Sequence, residues 1–248
     1  MSKYILSFVL SFALTQHISA QSVEPSSAVS KNLLHIEIES LYDIQTENDI
    51  KITSWSIPSA IFRYGLLNGL EIQLNTPIVK EQMWENDHIV HTLNKFDNIQ
   101  FGFSIDLLKE KGILPEASLL TRFILPPEKK IQLKNTGQLI ALNFSNSLSE
   151  KFRFNYNIGF IHETDHLNSG YYIANLSFEL NSKIHFFIEN YANFTNEHFH
   201  SQNISTGFGY NFKDNVTLDY SIGSGIDHRH FYSGLLLTWA INAKKVKI

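Results

Sequence analysis

Histidine is the residue type in this chain with the clearest potential for chemistry, since eleven histidines and no cysteines are present. Residues 162–166 read HETDH, the H-E-x-x-H spelling of a zinc protease. In such an enzyme the motif lies on a helix, where two histidines four residues apart share one face and the glutamate stands beside the zinc-bound water. The chemistry of the motif therefore depends on the backbone that carries it.

The backbone that leads into HETDH has the pattern of a strand. In residues 151–161, KFRFNYNIGFI, every second residue is apolar, which places the apolar side chains on one face of an extended chain. The motif continues this segment and runs into an Asn-Ser-Gly turn. At about 3.3 Å per residue, His162 and His166 would be roughly 13 Å apart, so we do not predict a zinc hydrolase.

Eight of the histidines fall at or in predicted external loops, and six belong to three consecutive loops. HFH (198–200) and HRH (228–230) each place two imidazoles on one side of an extended segment, roughly 6.6 Å apart. Carboxylates stand nearby, and imidazole with carboxylate suits zinc, nickel or copper. One hypothesis is a surface site for a divalent metal, built from His162, His166, His198, His200, His228 and His230. The alternative is polar loop composition without a metal, and no other cofactor is predicted.

The elements that must position these residues follow an alternation with a period of two, which continues from residue 33 almost to the end of the chain. This period is typical of strands with one apolar face. The alternation predicts twelve strands, at 33–41, 57–66, 69–76, 97–108, 116–125, 137–148, 151–162, 170–181, 183–194, 202–212, 215–225 and 229–241.

The connections between these strands alternate between short and long. Leu67-Asn68-Gly69 is a tight turn, whereas 42–56 and 77–96 are predicted to be long external loops. Transmembrane barrels have this asymmetry, and strands of about ten residues match a tilted crossing of the hydrocarbon core. The predicted fold is an all-β, antiparallel up-and-down transmembrane β-barrel of about twelve strands. A secreted sandwich and a lipocalin-like barrel share the alternation and are the alternatives.

The beginning of the chain predicts export. Lys3 precedes a short apolar run, and a polar stretch ends at Ala20, as in a secretory signal peptide. The run is shorter than the roughly 20 apolar residues that a membrane-spanning helix needs. The predicted organisation is a signal peptide at 1–20, an N-terminal leader at 21–32, the barrel at 33–241 and a basic C-terminal tail at 242–248.

Charged residues of both signs fall on the polar faces of the predicted strands and would line the lumen. They are Glu37, Glu39, Arg63, Glu71, Asp106, Arg122, Arg153, Glu179, Glu189 and Asp219. Arg63 and Glu71 flank a tight turn and are expected to face each other. The set could form a selectivity ladder for solutes, or it could be paired into salt bridges that keep the barrel rigid and nearly closed. The second interpretation is favoured for some of these residues.

Several segments resemble one family of Gram-negative outer-membrane proteins. Ile57–Leu74 reads IPSAIFRYGLLNGLEIQL, in which a strand ending Arg-Tyr-Gly turns into Glu and a hydrophobic residue. This stretch resembles the MetA-pathway of phenol degradation family, whose members are labelled transporters. FNYNIGF (154–160), FFIENYANF (186–194), VTLDYSIGSGI (216–226) and FYSGLLLTW (231–239) look like its later strands. The resemblance implies an outer-membrane barrel that transports hydrophobic or aromatic compounds.

The function predicted from the sequence is a passive channel or binder for small solutes in the outer membrane of a Gram-negative bacterium. The expected partners are outer-membrane lipid, the barrel-assembly machinery and the solute. A net charge of -4 gives no reason to expect nucleic-acid binding. Trp239 is followed by AINAKKVKI, whereas outer-membrane chains often end on an aromatic residue. The alternatives are an enzyme with its site on the external rim, which is not favoured, and a metal-capturing barrel.

Overall fold

The computed structural model describes residues 23–47, 50–126, 135–164, 167–195 and 199–243, except the side chains of Glu47, Phe199 and His200. These ranges contain thirteen strands and no helix long and apolar enough to cross a membrane. The strands are β1 (Leu33–Glu47), β2 (Ile50–Leu67), β3 (Leu70–Glu85), β4 (His88–Phe96), β5 (Ile99–Leu108), β6 (Glu116–Leu125), β7 (Gly137–Ser147), β8 (Phe152–His162), β9 (Asn168–Asn181), β10 (Ile184–Phe194), β11 (Phe199–Lys213), β12 (Val216–Gly225) and β13 (Arg229–Asn242).

The sheet closes on itself into an antiparallel barrel. β1 pairs with β2 on one side and with β13 on the other, from Leu33 opposite Asn242 to Thr46 opposite Arg229. β4 and β5 pair with successive parts of β3 and act as one interrupted barrel strand, so the barrel has twelve strands around its wall. Closure leaves the backbone groups of the wall paired, as a lipid environment requires. The predicted fold is confirmed.

The outward face of the barrel is apolar and exposed. On β5, Phe101 is 50% exposed and Phe103 is 40% exposed, whereas Ser104, the next residue along the strand, is 2% exposed and faces inward. A soluble sandwich or lipocalin-like barrel would bury such a face, and a water-exposed belt of this size is not stable. The belt therefore faces lipid, and the two soluble alternatives are wrong.

The first two long connections differ from the prediction. Residues 42–56 and 77–96 were expected to be external loops, but β1 continues to Glu47, β2 begins at Ile50, β3 continues to Glu85 and β4 follows. These segments are strands without a strictly apolar face, because they rise beyond the belt that lipid covers. We call this end of the barrel the loop end, and the end with the tight hairpins the turn end.

The alternation in the sequence predicts a polar inward face, but part of that face is apolar. A group of buried apolar and aromatic side chains contacts across the lumen and lies mostly near the loop end. This apolar cluster consists of Leu41, Leu120, Ile124, Leu139, Ala141, Ile161, Tyr171, Ile173, Tyr191 and Tyr232. The sequence carried one signal of it: in LLTRFIL (119–125), residues of both parities are apolar.

Candidate functional site

The lumen contains a segment of the chain itself. Residues 23–32, which we call the plug segment, precede β1 and lie inside the barrel. At the turn end the Asn32 amide donates to the Gly65 carbonyl (2.8 Å), and the Ala243 amide donates to the Asn32 carbonyl (2.9 Å). At its other end Val23 packs against the apolar cluster. The plug segment therefore runs from the turn end into the middle of the lumen.

Carboxylates of the wall hold the backbone of the plug segment. Three of its amides donate to them: Val29 to Glu71 (2.6 Å), Ala28 to Asp106 (2.6 Å) and Val23 to Glu189 (3.2 Å). Hydrogen bonds to an ionised acceptor are stronger than neutral ones, and an amide left unpaired in this interior would be costly. The wall thus satisfies a backbone that has no strand partner.

Side chains of the plug segment add further contacts. The Glu24 carboxylate lies 2.7 Å from Nη2 of Arg122, and Asn157 hydrogen-bonds both the amide and the carbonyl of Glu24 (2.8 and 3.0 Å). The Ser26 hydroxyl donates to the Glu116 carboxylate at 2.6 Å. These contacts fix the position of the segment along the axis of the lumen.

Gly65 provides the space that the plug segment needs. A Cβ atom at this position would collide with the carbonyl oxygens of Ser30 and Val29. Both are backbone atoms, so the collision could be relieved only by moving the plug segment away from the wall. The glycine is required here for close approach of two backbones.

A network of charged side chains lies on the wall next to the plug segment, near the turn end. Arg63 donates from Nη2 and Nε to Oε1 of Glu71 (2.7 and 3.0 Å) and lies 3.3 Å from Glu37. Arg122 donates from Nε to Gln73 (2.7 Å), which in turn donates to Glu71. Glu71 is 0% exposed, and buried carboxylates of this kind require such partners. Arg63 and Glu71 therefore face each other inside the barrel.

The remaining predicted lumen residues also lie on the inward face by strand register. Glu189 accepts from Asn175 (3.1 Å), Asp219 pairs with His185 (2.8 Å), and Arg153 donates to Ser145 (3.1 Å). Glu39, Asp106 and Glu179 share the inward face. Arg63, Glu71, Glu37 and Arg122 are paired with wall or plug groups. Selectivity and structural pairing both stay predictions for the role of this set.

The six histidines of the metal hypothesis are only partly described. His162 Nδ1 lies 2.8 Å from Asn168 Oδ1, and His228 Nδ1 lies 2.6 Å from the Asp227 carboxylate. Burial raises the pKa of Asp227, but the hydrogen bonds from the His228 side chain and from the Asp227 and Gln202 amides, together with the charge interaction with His228, outweigh it, so the pKa is lowered overall. His166, His198 and the side chain of His200 lie outside the described residues. Among the residues that the structure describes, no three potential ligands are grouped as a metal site.

His230 was predicted to lie at or in an external loop, but it lies on β13 inside the barrel. Its side chain is fully buried; one ring nitrogen bonds the Asp43 carboxylate, and the other lies 2.7 Å from Oδ1 of Asn203. Asn203 donates from Nδ2 to the Ser201 carbonyl (2.6 Å), so its oxygen faces the ring. Both ring nitrogens of His230 are therefore engaged, one by a carboxylate and the other by an amide oxygen. The sequence missed Asp43 because it lay in a predicted loop.

The enzyme alternative gains no support from this pair. A histidine that activates a nucleophile must have one ring nitrogen free to take a proton, while a carboxylate orients the other. In His230 both nitrogens are occupied, by Asp43 and by Asn203. These contacts link β1, β11 and β13 near the loop end and stabilise the barrel wall there.

Comparison with solved structures shows the same fold in several outer-membrane proteins. An outer membrane channel from Pseudomonas putida F1 superposes with a TM-score of 0.68 and 10% identity, over 89% of this chain and 100% of that chain. The KdgM porin in complex with oligogalacturonate gives 0.52 and 7% identity, over 82% and 98%. The transport unit of the autotransporter AIDA-I from Escherichia coli gives 0.53 and 10% identity, over 95% and 97%.

The likeness is one of fold, because all three identities are low. No protein-family model and no curated protein sequence matches the chain.

Proposed function

We propose that the protein is a passive channel for small solutes in the outer membrane of a Gram-negative bacterium, with its lumen closed at rest by residues 23–32. The observation that carries this proposal is the seating of the plug segment on Glu71, Asp106 and Glu189. A barrel of twelve strands is wider than the eight-stranded barrels that side chains alone can fill. The plug segment occupies the space in the lumen that the wall side chains do not fill.

The way in which the plug segment is held suits a gate. Apart from the packing of Val23, the contacts described between the segment and the wall are hydrogen bonds and the ion pair of Glu24 with Arg122, and the segment adds no strand to the sheet. Each of these contacts can be exchanged for water when the segment leaves, since the exposed carboxylates would then face a wet lumen. Displacement of the segment would therefore open a path without breaking the wall.

The apolar cluster indicates the class of solute. A solute that displaces Val23 meets Tyr171, Tyr191 and Ile173 rather than a ladder of polar groups. Sugar hydroxyls would lose water there without replacement, whereas apolar or aromatic groups would not. We therefore propose solutes that combine small size with a substantial apolar surface, which agrees with the resemblance to the MetA-pathway of phenol degradation family.

Liposome swelling with two matched amino acids tests this function. Phenylalanine and glutamine are both zwitterionic and similar in size, and they differ mainly in side-chain polarity. We expect liposomes with the protein to swell faster in phenylalanine than in glutamine, and a variant lacking residues 23–30 to raise both rates. Swelling no faster than in protein-free liposomes, for both the native chain and the variant, would refute a channel; faster glutamine entry would refute the solute class.

Location and assembly belong to the same proposal. The lipid-facing belt requires a membrane, and a barrel of this kind would need export and the barrel-assembly machinery to reach the outer membrane. Support for a non-enzymatic role comes from His230, whose ring nitrogens are both engaged. The metal hypothesis stays a prediction for the loop histidines outside the described residues.

A further inference from the structure

We infer that the outward face of the long hairpins at the loop end binds anionic phosphate headgroups of membrane lipids. The surface, which we call the interface patch, consists of Tyr42, Lys51, Trp55, Lys80 and Trp84. The inference rests on the membrane location in the proposed function but does not require that the barrel conduct. It assigns a role to the outward face of the extended parts of β1, β2 and β3.

The interface patch is built from two lysine–tryptophan pairs across neighbouring strands. Lys51 stands opposite Trp84, and Trp55 stands opposite Lys80, so the pairs lie on one face, four residues apart. The ammonium of Lys51 lies 4.5 Å from the ring centroid of Trp84. This geometry is a cation–π contact, which covers one side of the ammonium and leaves its other donors available.

The indoles are themselves held in place. Trp84 donates from Nε1 to the Thr53 hydroxyl at 3.1 Å, and Trp55 packs on Tyr42 with ring centroids 4.2 Å apart. Tyr42 is also the partner of Trp55 in the register between β1 and β2. The patch is therefore an ordered surface and not a set of independent side chains.

Charge is segregated between the two faces of these strands. The outward positions carry Lys51 and Lys80 and no carboxylate, at 42–46 of β1, 50–55 of β2 and 78–85 of β3. Asp43, Glu81 and Glu85 lie at positions of the opposite parity, on the inward face. The outward face alone is thus positive, which is the complement of an anionic headgroup.

The position of the patch selects lipid as the source of that headgroup. Ile57 and Ile78, 53% and 36% exposed, lie directly next to Trp55 and Lys80 and continue the apolar belt. Tryptophan and tyrosine at the margin of such a belt mark the interface between acyl chains and headgroups. A ligand that meets this surface contacts acyl chains and the ammonium groups together, which a lipid does.

The expected strength follows from two lysines near an anionic surface. Each lysine in this position raises binding by about fivefold. Replacing both with glutamine, which keeps size and polarity but removes charge, should therefore reduce the preference for anionic lipid by roughly 25-fold. Lys109 and Lys213, at the turn end, provide the matched control because they lie outside the patch.

Native mass spectrometry of the full chain in detergent tests the inference. The probes are phosphatidylglycerol, phosphatidylcholine with the same acyl chains, and inorganic phosphate. We expect the native protein and Lys109→Gln/Lys213→Gln to retain phosphatidylglycerol preferentially, and Lys51→Gln/Lys80→Gln to lose that preference. Lys51→Arg/Lys80→Arg should keep it, which separates loss of charge from loss of folding.

Several results would overturn the inference. They are an unchanged preference in the glutamine variant, no preference in the native protein, or binding of inorganic phosphate as tight as that of the lipid. If the protein binds phosphatidylglycerol but neither the native chain nor the variant lacking residues 23–30 conducts, the channel is refuted and the patch is not. Conduction without any lipid preference would refute the interface patch and leave the channel intact.

Discussion

The two ends of the lumen are filled in different ways. At the turn end, charged wall groups such as Glu71 and Asp106 hold the backbone of a separate segment. At the loop end, side chains of the wall itself narrow the lumen, in the apolar cluster and in the pair of Asp43 with His230. The plug segment can leave the turn end without damage to the wall, whereas the side chains of the loop end stay in place and line the stretch that a solute must pass. The turn end, with its plug segment, is thereby assigned to gating, and the loop end is assigned to the stability of the wall.

The buried pair of Asp43 with His230 at the loop end should show the largest effect. His230→Ala leaves the Asp43 carboxylate buried without its partner, and breaking such a pair costs about 3–5 kcal/mol. Urea unfolding in lipid vesicles measures this loss. Arg63→Met at the turn end should cost less, because Glu71 keeps the Val29 amide and Gln73 as donors. Equal losses for the two variants would remove the contrast between the ends.

The two faces of β6 give the next contrast. Leu120 is 1% exposed in the apolar cluster, and its neighbour Leu119 faces outward. Leu120→Ala creates a cavity and should lower the free energy of unfolding by about 2–5 kcal/mol. Leu119→Ala should change it by less than about 1 kcal/mol, because acyl chains can fill the space. The same unfolding assay compares them, and a larger cost at Leu119 would reverse the assignment of the faces.

Gly65→Ala sharpens the comparison at the turn end. The added methyl group meets the Ser30 and Val29 carbonyls, and overpacking costs about 1–3 kcal/mol. This cost falls on the seated plug segment, so the open fraction of the channel should rise by roughly fivefold or more, as single-channel recording would show. In a chain that also lacks residues 23–30, Gly65→Ala should change nothing. An effect in that background would place the collision elsewhere.

The smallest expected effect lies at an exposed turn. Glu110 accepts hydrogen bonds from the Ser147 amide (2.5 Å) and hydroxyl (2.9 Å), and these bonds lower its pKa. A lowered pKa means stability that is present above the unfolded-state pKa and lost as pH falls through the folded-state pKa. Ser147→Ala removes the hydroxyl donor and should raise the pKa of Glu110, which NMR titration measures. No change in the titration would show that the hydroxyl contributes nothing.

The outward face could be predicted from the sequence because lipid imposes one rule on it. Phe101, Phe103 and Ile105 alternate with small or polar residues, and this period gave the strands and the transmembrane class. Beyond the belt the rule no longer applies. Tyr42–Ser56 has no strictly apolar face, so a strand there looked like a loop, and Asp43 was lost with it.

The plug segment could not be predicted because most of its contacts with the wall are made by its backbone. The amides of Val23, Ala28 and Val29 bind the wall, and a backbone amide has no sequence signature. The acceptors, in contrast, were found as lumen residues from their position on the polar faces. The sequence thus supplied the wall groups but not the ligand that they hold.

Planar-bilayer recording of the native protein and of a variant lacking residues 23–30 tests the central claim most directly. We predict that the native channel is mostly closed and that the variant carries a time-averaged current higher by about tenfold or more. The variant should also favour cations, because carboxylates outnumber guanidinium groups on the inward faces of the described strands. Identical currents from the two proteins would contradict the claim that the plug segment closes the lumen.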